Sequence, residues 1–135
     1  MNRSDTLRSR LRWLGLLRAS LIAGAAYDVL FAALMVLAPQ AASEHLAIPL
    51  PGPPFYLPLI AVFLLMLAAL YLAAAEDPRR YSAVILVAIF GRAAGAVVLG
   101  VIALRRPDLP SLYLLAAADA VFALTHFLFW RRLRT

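Results

Sequence analysis

Cysteine is absent from the 135-residue sequence, and so is lysine. The first absence excludes disulfides, thiolate metal sites and cysteine nucleophiles, and it leaves the redox compartment open. The second leaves the net charge of +6 to arginine alone. Charge is scarce altogether. Asp, Glu, Lys and Arg make up 15% of the chain, against about 25% in soluble domains. Histidine occurs only as His45 and His126, which is poor material for a zinc or haem site. No metal or cofactor is expected. No nucleophile elbow, phosphate-cradling loop or metal-binding motif is present. What remains is apolar. Hydrophobic residues make up 64% of the chain, well above the 45–50% usual in soluble proteins. There is room for one domain, residues 1–135, and any activity must sit in or against a membrane.

A bilayer core of about 30 Å takes about 20 apolar residues in a helix. Four segments reach that length, at 14–37, 55–75, 81–104 and 111–130. Lipid offers the backbone no hydrogen bonds, so they must be helices, and the alternation of barrel strands is missing. The expected fold is all-α, an integral membrane four-helix bundle. Asp77-Pro78 reads as an N-cap with proline at the first helical position. Asp108, Pro110 and Ser111 read the same way before the fourth span. The stretch from Ile48 to Pro54 is too rich in proline for helix and predicts a stiff extended loop. Leu7, Leu11 and Leu14 recur at helical spacing among arginines. They predict a short interfacial helical extension of the first span.

Arginine placement orients the chain. Arg3, Arg8, Arg10, Arg12 and Arg18 precede or open the first span, Arg79 and Arg80 lie between spans two and three, and Arg131, Arg132 and Arg134 end the chain. The opposite side has Arg105 and Arg106. By the positive-inside rule both termini are cytoplasmic. Trp13 and Trp130 fall where interfacial anchors belong. Ala23-Gly24-Ala25 after a basic start resembles a signal-peptide cleavage site, but three later spans favour a membrane helix. A basic soluble protein would raise nucleic acid as a partner. Here the charges flank apolar spans, and no nucleic acid is expected.

Three charged residues fall near span centres: Asp28, Arg92 and Asp119. Counting residues from each centre puts all three within about 3 Å of the midplane. Buried alone, each costs about 2.5–3.5 kcal/mol, and together roughly 8–10 kcal/mol. Pairing offsets that cost, so Arg92 is expected between Asp28 and Asp119. One reading is a structural ion-pair network that fixes which helices are neighbours. The other is a binding or proton-handling site. Two carboxylates against one guanidinium leave a formal charge of −1, to be met by a proton, a cation or water.

Secondary polar candidates point to one direction of access. His126 lies two turns after Asp119 on the same face, about 10 Å nearer the cytoplasm. Ser20 lies two turns before Asp28, and Tyr71 lies in the cytoplasmic half of span two. They predict a weakly polar column opening inward, and toward the outside little but Tyr27 is polar. Gly91 and Gly95 form a small-xxx-small pair on span three, and Ser20, Gly24 and Asp28 recur every fourth residue on span one. Both patterns predict close helix packing, within one chain, a homodimer or a larger membrane complex.

The chain resembles small bacterial four-helix membrane proteins of the DoxX-like type. The likeness rests on Tyr27-Asp28 running through to Ala38-Pro39, on Glu76-Asp77-Pro78-Arg79-Arg80-Tyr81 followed by Gly91-Arg92, and on Leu109-Pro110 followed by Asp119 and Phe127-Leu128-Phe129-Trp130. The resemblance implies a multi-pass protein of the bacterial cytoplasmic membrane and supplies no shared catalytic motif. Redox-linked roles belong to some of that group. Three functions follow as expectations. The first is a non-enzymatic accessory subunit or small-ligand-binding bundle. The second is a proton-coupled carrier. The third is an intramembrane enzyme acting on a lipophilic substrate, with acid and base drawn from Asp28, Asp119 and His126.

Overall fold

A computed structural model describes residues 3–53 and 55–134. Pro54, which closes the proline-rich stretch, lies outside the described residues, as do the side chains of residues 3–6. The described chain is helical and has no strand. Its elements are α1 (Arg3–Leu37), α2 (Pro39–Leu46), α3 (Tyr56–Glu76), α4 (Ser82–Arg105) and α5 (Ser111–Arg134). Four of them are long and apolar enough to cross a membrane, over Leu7–Leu37, Tyr56–Glu76, Ser82–Arg105 and Ser111–Arg134. This is a multi-pass membrane protein.

The distribution of side chains agrees. Leu30, Phe90, Val97 and Leu114 are all more than 60% exposed. In water such a surface would aggregate; in lipid it is solvated. Many buried positions are small instead, among them Ala25, Ala32, Ala68, Ala74, Ala88 and Ala103. Helices in lipid gain little from burying large apolar groups against each other, so small residues that let backbones approach do the packing. α1 packs against both α3 and α5, α5 also packs along α4, and α3 meets α4 more sparsely.

α1 is one unbroken helix of 35 residues, about 52 Å long, so the amphipathic start and the first span are continuous. The apolar stretch ends at Ala38, whose φ of −144° and ψ of 55° leave the helical region. Pro39 then opens α2 at a position where its missing N–H costs nothing. The sequence pattern did not foretell this short helix. It stops at Ala47, a left-handed residue with φ 49°. Ser43 Oγ donates to the Ile48 carbonyl at 2.7 Å and secures that end.

Two expected caps are corrected. Asp77 Oδ1 accepts from the backbone N–H groups of Arg79 and Arg80, at 3.1 Å each. It therefore caps the turn at 78–81, ahead of α4 itself, which begins at Ser82. Asp108 makes no capping hydrogen bond among the described residues. Its carboxylate accepts from Arg106 Nε at 2.9 Å and Nη2 at 2.7 Å, because a guanidinium two residues away offers two charge-assisted donors. That hydrogen bond holds the Asp108 carboxyl below its usual range.

Candidate functional site

Arg92 enters from the middle of α4, and its two terminal nitrogens take one carboxylate each. Nη2 donates to Asp28 Oδ1 of α1 at 2.5 Å, and Nη1 donates to Asp119 Oδ1 of α5 at 2.7 Å. Nη2 also approaches the Gly24 carbonyl at 3.5 Å, a marginal contact. Three rings surround the guanidinium carbon: Phe122 at 5.1 Å, Tyr27 at 5.2 Å and Tyr71 at 5.5 Å. Each offers its face to the cation. One arginine thus ties α1, α4 and α5 at a single level, with Tyr71 of α3 against its plane.

The two carboxylates differ in setting. Asp28 is wholly buried, and its Oδ2 has no hydrogen-bond partner among the described residues. The side chain of Asp119 is 15% exposed, and it lines a cavity together with Arg92. Its Oδ2 takes no hydrogen bond among the described residues and lies over Gly95. A β-carbon built on Gly95 would stand 2.5 Å from that oxygen. Gly95 therefore makes room for a side chain of α5 as well as for a helix.

The cavity holds about 320 Å³, within the range of small-molecule sites. It runs from Arg92 and Asp119, past Tyr27 and Phe31, to α2 and the loop at Ile48–Pro51, with Leu64 and Leu99 on its sides. Its walls are almost entirely apolar. It extends from the charges toward the α2 end of the molecule, opposite to the direction expected from Ser20, Tyr71 and His126. The reason is packing. Leu17, Leu21, Ala74, Ala75 and Ile85 form a core between the charges and the chain termini, with Tyr81, Phe129 and Trp130 against it. The polar residues on that side are closed into the packing. Ser20 Oγ and Thr125 Oγ1 share a hydrogen bond at 3.2 Å. Tyr71 is buried.

His126 is also fully buried, and neither ring nitrogen has a hydrogen-bond partner among the described residues. Its ring sits 5.8 Å from Tyr71 and 6.0 Å from Phe122. It does not line the cavity.

The glycines separate as well. A β-carbon on Gly24 would meet the Tyr71 ring at 3.3 Å and His126 Cε1 at 3.5 Å, so α1, α3 and α5 do approach closely there. Gly91 is exposed, and a β-carbon there would meet nothing within 4 Å. The expected Gly91–Gly95 packing pair is carried within this chain by Gly95 alone.

Phe122 and Thr125 were not singled out from sequence. The signal for Phe122 was available, because it follows Asp119 by three residues and shares its face. Nothing in the pattern of α5 marked Thr125 as the partner of Ser20. Among the described residues no group of His, Asp and Glu is arranged to hold a metal.

Comparisons with protein-family models, with curated proteins and with solved structures give no match. The functional reading rests on the geometry above.

Proposed function

We propose that this chain is a non-enzymatic, small-ligand-binding bundle of four membrane-crossing helices. In this reading it is DoxX-like in kind, lies in a bacterial cytoplasmic membrane, and has both termini on the cytoplasmic side. Its ligand is a lipophilic molecule with a cationic or hydrogen-bond-donating head. The observation that carries this is the apolar cavity ending on Asp119, whose Oδ2 is uncommitted. Two carboxylates face one guanidinium, so the cluster has a formal excess of one negative charge. A cationic head at Asp119 would balance it, and the tail would lie among Phe31, Leu64 and Leu99.

The test uses three probes with one tail: decylamine, decanol and decanoate. The expected order of affinity for the detergent-solubilised protein at pH 7 is amine, alcohol, carboxylate. Asp119→Asn should weaken amine binding roughly 10- to 100-fold, the worth of a charge-assisted hydrogen bond. Arg106→Gln, on an exposed loop, should change nothing. Equal affinity for the three heads, or unchanged amine binding in Asp119→Asn, would remove the basis for the proposal.

A second reading, a proton-coupled carrier, is favoured by the buried and unpartnered Oδ2 of Asp28. If a proton neutralises the empty cluster, a cationic ligand displaces it, and binding is linked to proton release. Uptake into liposomes that responds to a pH gradient and disappears in Asp119→Asn would select this reading. Binding without uptake would select the first.

A further inference from the structure

A second basin lies at the opposite end of the molecule, where both termini emerge. It holds about 490 Å³, enclosed by the first half of α1, the turn between α3 and α4, and the last turn of α5. Its floor is apolar. Leu7, Leu11 and Leu14 line it in a row along α1, and Trp130 and Leu133 of α5 face them. Its rim is basic, formed by Arg10, Arg18, Arg79 and Arg134.

The charges on that rim are uneven. Asp77 supplies the one carboxylate among the described lining residues, and its Oδ1 is already held by the N–H groups of Arg79 and Arg80. Arg18 donates to the Glu76 carbonyl at 2.9 Å, a neutral acceptor. Arg134 lies 4.2 Å over the Trp130 ring, also neutral. Arg10 and Arg79 pair with no carboxylate among the described residues. Four guanidinium groups therefore line one concavity, and among the described lining residues only Asp77 supplies counter-charge. The same concavity is lined by leucines, a surface of the kind an acyl chain covers.

We propose that this basin binds an anionic phospholipid, with the phosphate among the four arginines and an acyl chain on the leucine floor. Arginine suits the head because its planar fork meets phosphate oxygens two at a time. Basic pockets between membrane helices favour anionic over zwitterionic lipids for the same electrostatic reason. The floor selects a lipid over a free phosphate ion. Leu7, Leu11 and Leu14 are arranged at helical spacing on a helix that enters the membrane, where a headgroup and its chain are both at hand. The site is independent of the midplane cavity and of whatever ligand that cavity takes.

The chain has two tryptophans, and only Trp130 lines the basin. Trp13→Phe therefore makes Trp130 a single reporter, quenched when a brominated acyl chain lies beside it. Brominated phosphatidylglycerol and brominated phosphatidylcholine would be titrated into the full chain in detergent micelles. Half-quenching is expected at a clearly lower mole fraction of the glycerol lipid. Arg10→Gln/Arg79→Gln should reduce that preference roughly fivefold or more. Arg8→Gln/Arg131→Gln removes equal charge from the same end but outside the basin, and should leave the preference in place. Three outcomes would overturn the proposal. The first is equal quenching by the two lipids. The second is equal loss of preference in the two double variants, which would mean a diffuse basic surface. The third is full relief of quenching by millimolar inorganic phosphate, which would assign the arginines to a free ion.

Discussion

Gly95 and Asp119 occupy one space. The carboxylate of Asp119 sits where the side chain of any other residue at position 95 would begin, 2.5 Å from a β-carbon built there. The far end of Asp119 can move, but it then loses its 2.7 Å bond from Arg92. Gly95→Ala gains about 1 kcal/mol of helix propensity and loses more through overpacking, commonly 1–3 kcal/mol. It should unfold at lower SDS mole fraction in mixed micelles and bind decylamine more weakly. Gly91→Ala meets open space and should be neutral or stabilising by up to about 1 kcal/mol. Equal effects from the two alanines would mean that Asp119 does not lie over Gly95.

Arg92 should be the most costly single charge to remove. Taking it away leaves Asp28 wholly buried and unpaired. Breaking a buried pair in this way costs about 3–5 kcal/mol, although the intact pair itself contributes much less. Arg92→Met should be severely destabilised in SDS titration. Arg92→Lys should be intermediate, because one ammonium cannot span carboxylates that the guanidinium reaches with separate nitrogens. Arg92→Met/Asp28→Leu/Asp119→Leu should recover at least half of the loss. An Arg92→Met variant as stable as the parent would show that the charges are solvated in some other way.

Much of this arrangement could be read in advance, and the reason is that helix rise is fixed. Counting residues from span centres places Asp28, Arg92 and Asp119 at one depth whatever the sequence between them. The proline-rich breaks and the arginines likewise mark where apolar runs end. Direction around the helix axis was less legible. The small-residue pattern put Gly91 and Gly95 on one face but could not say how far that face extends against α5. The polar residues Ser20, Tyr71 and His126 suggested a wet path. Their partners, Thr125 and the Tyr71 and Phe122 rings, are set by neighbouring helices that periodicity does not identify. α2 escaped because eight residues carry too little pattern. Proline at its start and a left-handed residue at its end define it.

That left-handed residue carries a prediction of its own. Ala47 holds φ at 49°, a conformation that costs a residue with a β-carbon roughly 1–2 kcal/mol and glycine almost nothing. Glycine also loses about 0.5–1 kcal/mol more backbone entropy on folding. Ala47→Gly should therefore be mildly stabilising, by up to about 1 kcal/mol. The gain is local, so it should be sought in slower hydrogen exchange of the α2 amides. Ala47→Val should speed that exchange. A faster rate in the glycine variant would contradict the left-handed cap.

The proposed orientation can be settled with two engineered thiols, because the chain has no cysteine to give background labelling. Gln40 on α2 and Arg131 on α5 are both exposed, and they lie at opposite ends of the spanning helices. Arginine bias puts the α5 end inside. Of the two arginines at the other end, Arg106 is bound to Asp108 at 2.7 Å, but acidic neighbours do little to alter the bias, so the argument rests on arginine number. A membrane-impermeant maleimide added to intact cells should label Gln40→Cys at once. It should label Arg131→Cys only after the membrane is opened. The reverse pattern would invert the molecule and place the α2 end of the midplane cavity on the cytoplasmic side. Equal labelling of both in intact cells would indicate a chain that inserts in two orientations, as an antiparallel dimer of identical subunits requires.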